Sequence, residues 1–459
     1  MVSVELVLKN GKIMTTSGIF EGGLAVEAGK IVAMAKDPSL PTGEQTIDVK
    51  GNFILPGFID AHTHVRGMGR SNYEDFVTGT MAAASSGITT IMEMPITLPP
   101  TSTVQAFKEK REAMSGQSLV NFALYAGAGS QNIQEITGMA REGAVAFKTF
   151  MHPPPAGREQ DFWGFYVTDD GSFLEMLRTI AQTGSISAVH AENPEIVEHL
   201  AKKLRSERRM DLSAYLGSRP GITESEGISR AAMLASEARV RIHICHVCAK
   251  EALEVVRMAK SRGQMLTAET CPHYLTFTHD EIKHLGPYVK INPPIRHRDD
   301  RDLLWEAIRN GVIDLVASDH GPYPKKLKDA GLEDIWEAYM GAPGLDAIGP
   351  VMLTHVNNGL ISLKKLAEIM SENVAKIFGL YPNKGALSVG SDADLVVIDM
   401  NARKRLDASK FHTKARDIAL LYDGFEAKGI PSLTVVNGTI VMKDGEIVGK
   451  PGTGRFARP

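Results

Sequence analysis

Between about residue 56 and residue 384 the chain repeats one pattern: a short apolar run that reads as a strand, followed in most cases by an amphipathic stretch that reads as a helix. Alternation of this kind requires a parallel sheet, because a parallel neighbour is reached only through a crossover, and the crossover helix then covers the sheet. Eight candidate strands fit, ending near His62, Met94, Ala126, Phe150, His190, His246, Thr270 and Asp319. Glu251-Ala-Leu-Glu-Val-Val-Arg-Met-Ala-Lys-Ser-Arg262 is one of the intervening helices. Such units predict a (β/α)8 barrel of the TIM type, with its chemistry at the C-terminal ends of the strands.

The two ends have a different texture. Glu5–Lys9, Lys12–Met14, Gly23–Glu27 and Lys30–Met34 read as short strands, with Asn10-Gly11 and Ala28-Gly29 among the breaks. The same texture returns in Asp394–Asp399, Leu433–Met442 and Gly445–Val448. Neither piece alone offers enough strands to bury a face, so residues 1–55 and 385–459 are expected to build one small β-sandwich domain beside a catalytic barrel of residues 56–384.

Composition narrows the function classes. In 459 residues, 43% are hydrophobic and the net charge is −3, with the basic residues scattered, which argues against nucleic-acid and anionic-membrane partners and for a small-molecule substrate. No apolar run approaches the roughly 20 residues that span a bilayer, and the start lacks a secretory pattern, so a cytoplasmic location is expected. Three cysteines suit a reducing compartment. Cys245 and Cys248 form a C-x-x-C inside an apolar strand-like run, where positions three apart face opposite ways, and they read as buried structural thiols.

The strand ends carry the chemistry. In Pro56-Gly-Phe-Ile-Asp-Ala-His62-Thr-His64, two residues apart on a strand point the same way, so both imidazoles can bind one ion. His190, His246 and Asp319 close other strands, and barrel strand ends converge in space. Nitrogen and oxygen donors without thiolate suit zinc, and equally manganese, cobalt or iron. Lys148, in Ala144-Val-Ala-Phe-Lys148-Thr-Phe150, ends a buried apolar strand, where an ammonium is costly to desolvate. Reacted with carbon dioxide it becomes N6-carboxylysine, an anionic carbamate able to bridge two cations; a lysine salt-bridged near the barrel mouth is the plain alternative.

These residues resemble the cyclic amidohydrolases, which include hydantoinases, dihydropyrimidinases, allantoinases and dihydroorotases. The resemblance runs through the whole chain: Pro56–His64, Gly87-Ile-Thr-Thr90, Phe147-Lys148, His190-Ala-Glu-Asn193, Thr270-Cys-Pro-His-Tyr274, Asn292-Pro-Pro-Ile-Arg296, Ser318-Asp-His320 and Gly390-Ser-Asp-Ala-Asp-Leu395. It implies that His62, His64, carboxylated Lys148 and Asp319 hold one metal while Lys148, His190 and His246 hold the other. It also implies a bridging hydroxide as nucleophile, Asp319 as the general base, and Asn292 as a contact to the ring amide of a cyclic ureide, mainly through backbone groups. Family members are usually homo-oligomers, tetramers or dimers.

Within the family, Met94–Thr101, Asn121–Tyr125, Gly286–Lys290 and Tyr381–Gly385 look like the L-hydantoinase branch, and Thr270–Tyr274, Ser218-Arg-Pro220 and Ser318–Pro322 look like allantoinases too. Dihydroorotases grip a carboxylate with the arginine of H-x-H-x-R, here Arg66, and with an asparagine where this chain has Ile96. That departure demotes dihydroorotase and leaves Arg66 as a salt-bridged rim residue, with Arg66, Ile96 and Asn292 the candidate substrate-binding residues of the pocket around the metals. Dihydropyrimidinases place an oxyanion-steadying tyrosine shortly after the lysine, and Phe150-Met-His-Pro-Pro-Pro155 offers none, Tyr166 being remote. His243 reads as structural, on the strand face opposite His246, and His273 and His320 as packing or supporting groups. A non-catalytic scaffold would have lost ligands, and a one-metal deaminase would not need Lys148.

Overall fold

The computed structural model describes residues 3–459. Strands β1 Val4–Thr15, β2 Gly18–Glu27, β3 Lys30–Ala35, β4 Gly43–Asp48 and β5 Phe53–Pro56 precede the barrel. Its strands are β6 Phe58–Thr63, β7 Ile88–Glu93, β8 Asn121–Gly127, β9 Ala146–Phe150, β10 Ile186–His190, β11 Arg241–Ile244, β12 Leu266–Thr270 and β13 Leu315–Val316. After it come β14 Leu395–Arg405, β15 Glu426–Val436, β16 Thr439–Lys443 and β17 Glu446–Ile447.

The eight barrel strands pair in sequence order and in parallel, from β6 to β13. Helices such as Val104–Ser115, Asp170–Thr183 and Gly221–Ala238 fill the connections, and their starts are capped where the sequence supplies a short acceptor: Thr103 accepts from Ala106 and Asp169 from Ser172. Inside, Tyr125, Ala146, Ala188, Cys245, Leu315 and Ala317 belong to one buried cluster, with Phe378 packed edge-on to Tyr125. The seam between the first and last strands is short because β13 is short. It is held by a bridge between Thr63 and His320, by the His64 backbone N–H donating to the His320 carbonyl at 3.0 Å, and by Ser318 N–H donating to the Asp60 carboxylate at 3.0 Å. Burial pushes Asp60 up to about 6, against the hydrogen bonds that it accepts.

Both ends of the chain form a single mixed sheet in the order β17-β16-β15-β14-β5-β1-β2-β3, with β4 also paired to β1. Its inner face closes over Leu6, Leu24, Val26, Ile54, Leu395, Leu433 and Val435, residues from both termini. The expected break at Asn10-Gly11 is a bulge within one long strand: Asn10 adopts φ 59°, and register shifts between Leu8 and Gly11. The last residues leave this sheet. Phe456 bridges Phe122 of β8 and packs on Phe107 and Phe122, so the tail lies on the barrel.

Asp394 joins the two bodies. Its buried carboxylate accepts from Asn121 of β8 at 3.0 and 2.9 Å, from Lys384 at 2.5 Å and from the Asn437 backbone at 2.7 Å. Removing it leaves the buried Lys384 with Asp392 as its remaining carboxylate. Asp394→Ala is expected to cost about 3 kcal/mol, the scale of a broken buried ion pair, read as a lower urea midpoint.

Candidate metal and substrate site

At the C-terminal end of the barrel lies a cleft of about 600 Å3, counted out to its mouth. His62, His64, Lys148, His190, His246 and Asp319 all line it, as do Arg66, Ile96 and Asn292. Two ligand positions fall beyond their strands, which end at Ile244 and Val316. His246 and Asp319 reach inward because each adopts a left-handed backbone, φ 39° and 47°, a conformation that non-glycine residues hold only when the surroundings enforce it.

Asp319 Oδ1 lies 3.3 Å from Nε2 of both His62 and His64, so three candidate ligand atoms share one centre. The other nitrogen of His62 is committed, since Nδ1 meets Glu269 Oε1 at 2.5 Å. A carboxylate behind an imidazole in this way fixes the tautomer and turns the free lone pair toward a cation. His190 repeats the arrangement: Nε2 meets Glu192 at 2.8 Å, Glu192 takes Arg219 at 2.6 Å, and Nδ1 points at His246 Nε2 at 3.0 Å.

Burial and neighbouring charges set the state of each candidate ligand. Burial and the neighbouring Lys148 push the His62 imidazole down, yet Asp319 and Glu269 raise it to about 10, drawing positive charge onto the ring. Burial holds His190 at about 3 and His64 and His246 well below the ordinary range, leaving neutral rings with free lone pairs. Nδ1 of His64 and of His246 is buried without a hydrogen-bond partner. Burial raises the Asp319 carboxyl as well. These donors fit divalent metal ions.

Lys148 is buried at the end of β9, and its Nζ hydrogen-bonds Cys245 Sγ at 3.0 Å. Among the described residues no carboxylate pairs with it, so the salt-bridged alternative does not hold. Three further expectations change. Cys245 is buried but belongs to the site, beside Lys148 and grouped with His62 and Glu269, while Cys248 packs on Glu224 and Arg296. His243 also supports the site, meeting Glu269 Oε2 at 3.1 Å: the left-handed turn at His246 breaks the strand alternation that would set the two histidines on opposite faces. Among the described residues Arg66 has no salt-bridge partner; it is buried, donates to the Tyr323 hydroxyl at 2.9 Å and lies over that ring at 4.7 Å. His320 sits in the barrel seam, and His273 packs against Tyr274 outside the cleft.

The chain matches the amidohydrolase family over residues 53–441. It belongs to that family. It is 40% identical to an L-hydantoinase of Paenarthrobacter aurescens, across 98% of this chain and 97% of that one. It is 34% identical to an allantoinase of Solibacter usitatus, across 99% and 97%. Superposition on the solved L-hydantoinase (dihydropyrimidinase) from Arthrobacter aurescens gives a TM-score of 0.95 at 40% identity, across 99% of this chain and 100% of that chain. This amidohydrolase is an enzyme of the hydantoinase and allantoinase type.

The cleft contains groups that the sequence did not single out: Phe150, His152, Arg158, Phe162, Tyr323 and Met340. Tyr323 stands four residues beyond Asp319 in the same loop, the one available signal; Arg158 lies in a Pro-rich loop after β9 with no motif around it. Behind the ligands, Glu269 was equally silent, whereas Glu192 stood inside the His190-Ala-Glu-Asn193 motif without a role assigned to it. Glu269→Gln is expected to lower the affinity for added zinc by about 10- to 100-fold, measured by equilibrium dialysis, because the imidazole of His62 loses its anionic support.

Proposed function

We propose that this amidohydrolase opens the cyclic amide ring of a hydantoin-type substrate, a 5-substituted hydantoin or allantoin, with the help of two divalent metal ions. The carrying observation is the convergence of four histidines, Asp319 and a carboxylate-free buried Lys148 on one cleft. His62, His64 and Asp319 would hold one ion and His190 and His246 the other, with Lys148 between them. An ammonium at Lys148 would first lose one proton; addition of carbon dioxide to the resulting amine would form a C–N bond and release a second, replacing a buried cation by an anionic ligand. Zinc suits the donors, as do manganese, cobalt and iron.

When bound, the ions would acidify water and polarise the ring carbonyl. Asp319, a carboxylate facing the cleft, would take a proton from the attacking water and return it to the ring nitrogen as the amide C–N bond breaks and the C–O bond forms. Asn292, with Nδ2 3.3 Å from His190 Nε2, borders the ring position. Ile96, packed with Phe150, Phe162 and Phe165, supplies an apolar wall. Among the described residues no helix is long and apolar enough to cross a membrane, and the free, buried cysteines accord with a cytoplasmic enzyme of small-molecule metabolism.

The test is ring opening by zinc- or manganese-loaded protein of hydantoin, both hands of 5-substituted hydantoins, allantoin, dihydrouracil and dihydroorotate. Opening of hydantoins or allantoin is expected; opening of dihydroorotate alone overturns the substrate assignment. Lys148→Ala is expected to fall below two bound ions per chain and to lose roughly a thousandfold or more in kcat/KM. Full metal content with full activity in that variant would contradict the carbamate.

A further inference from the structure

The cleft has an end built entirely of donors. Arg66, from the loop after β6, and Arg158, from the loop after β9, both place a guanidinium nitrogen on the Tyr323 hydroxyl, at 2.9 and 3.4 Å. That oxygen therefore accepts from two cations, and its own O–H is left to donate elsewhere. Among the described residues Arg66 Nε and Arg158 Nη2 are buried without a hydrogen-bond partner, and both side chains line the cleft. Both donors can therefore take an acceptor from the cleft.

Charge says what kind of acceptor. Arg66, Arg70 and Arg158 crowd this end, and Asp161 pairs with two of them. Its Oδ1 is taken by Arg70 at 2.7 Å and its Oδ2 by Arg158 Nε at 3.1 Å, while the Arg66 guanidinium has no carboxylate partner among the described residues. That guanidinium is left free to meet an anion. The two guanidinium groups also lower the Tyr323 hydroxyl below its ordinary range despite burial. From the candidate ligands toward Arg158 the wall is apolar: Lys148 Nζ lies 5.0 Å from the Phe150 ring, Phe150 packs on Phe162 at 5.2 Å and Arg158 lies over Phe162 at 5.1 Å, with Ile96 in the same cluster. Methylene groups suit such a passage, and a planar anion suits two guanidinium forks.

We infer that Arg66, Arg158 and Tyr323 form a carboxylate subsite, so that this enzyme acts on hydantoins whose ring substituent is a short alkyl chain ending in a carboxylate. The inference rests on the ring-opening function proposed above and deepens it. Arg158 and Tyr323 set specificity here; neither belongs to the candidate metal ligands.

The experiment compares 5-(2-carboxyethyl)hydantoin with its carboxamide, which keeps the shape and loses the charge, on zinc-loaded enzyme. The ratio of their kcat/KM values is expected to favour the carboxylate by roughly 10- to 100-fold, the scale of charged hydrogen bonds. Arg66→Met and Arg158→Met, checked for fold by circular dichroism and for metal content, are expected to bring the ratio close to one. Arg158→Lys retains part of it, and Tyr323→Phe reduces it. A wild-type ratio near one, or a ratio that neither arginine variant moves, overturns the subsite while leaving ring opening intact. If no hydantoin is opened, the proposed function fails; equilibrium dialysis of the same two compounds then decides the subsite by itself, equal affinities overturning it.

Discussion

The hydrogen bond from the His64 backbone to the His320 carbonyl closes the barrel, and the site depends on that closure. β6 carries His62 and His64, and the segment after β13 carries Asp319; these are the first and last strands, far apart until the seam forms. With β13 only two residues long, ladder pairing alone holds little, and the buried Asp60 carboxylate takes over by binding the backbone of both Ser318 and His62. The same contacts that complete the fold thus set three ligand atoms around one centre. A barrel open at this seam would have its histidines on one edge and its aspartate on the other.

Around that centre the protein arranges charge in layers. Glu269 serves His62 from behind, and although burial would raise its carboxyl, His62 and His243 hold it well below the usual carboxylate range. Glu192 does the same for His190, backed by Arg219. Each imidazole offers its other nitrogen to the cleft, so the orientation of the ligands is settled before any ion arrives. The left-handed backbone at His246 and Asp319 belongs to this arrangement, since a regular strand would turn those side chains away.

The barrel strands were legible because apolar runs and amphipathic helices alternate with unambiguous periods, and the terminal strands because turn residues punctuate them. The six candidate ligands were legible as polar residues at strand ends. What lay beyond reach came from backbone geometry and from partners distant in the chain. Strand alternation assigned His243 and His246 to opposite faces, and the turn at φ 39° cancelled it. Cys245 read as filler because nothing local shows that Lys148 stands 3.0 Å away across the barrel. Arg66 was set at the rim because Ile96 replaces the asparagine that accompanies its motif, whereas the fold buries it against Tyr323, a residue from the other end of the barrel segment.

The sheet built from both termini imposes an order on biosynthesis. β5 pairs β1 on one side and β14 on the other, yet the whole barrel is translated between β5 and β14. Until β14 emerges, the early strands present a bare edge and an uncovered apolar face that includes Leu24, Val26 and Ile54. An open edge of that kind pairs readily with another chain. The nascent protein therefore passes through a long interval in which its first strands must be kept from neighbours on the same polysome, by a chaperone or by provisional contacts, before their own partners are made.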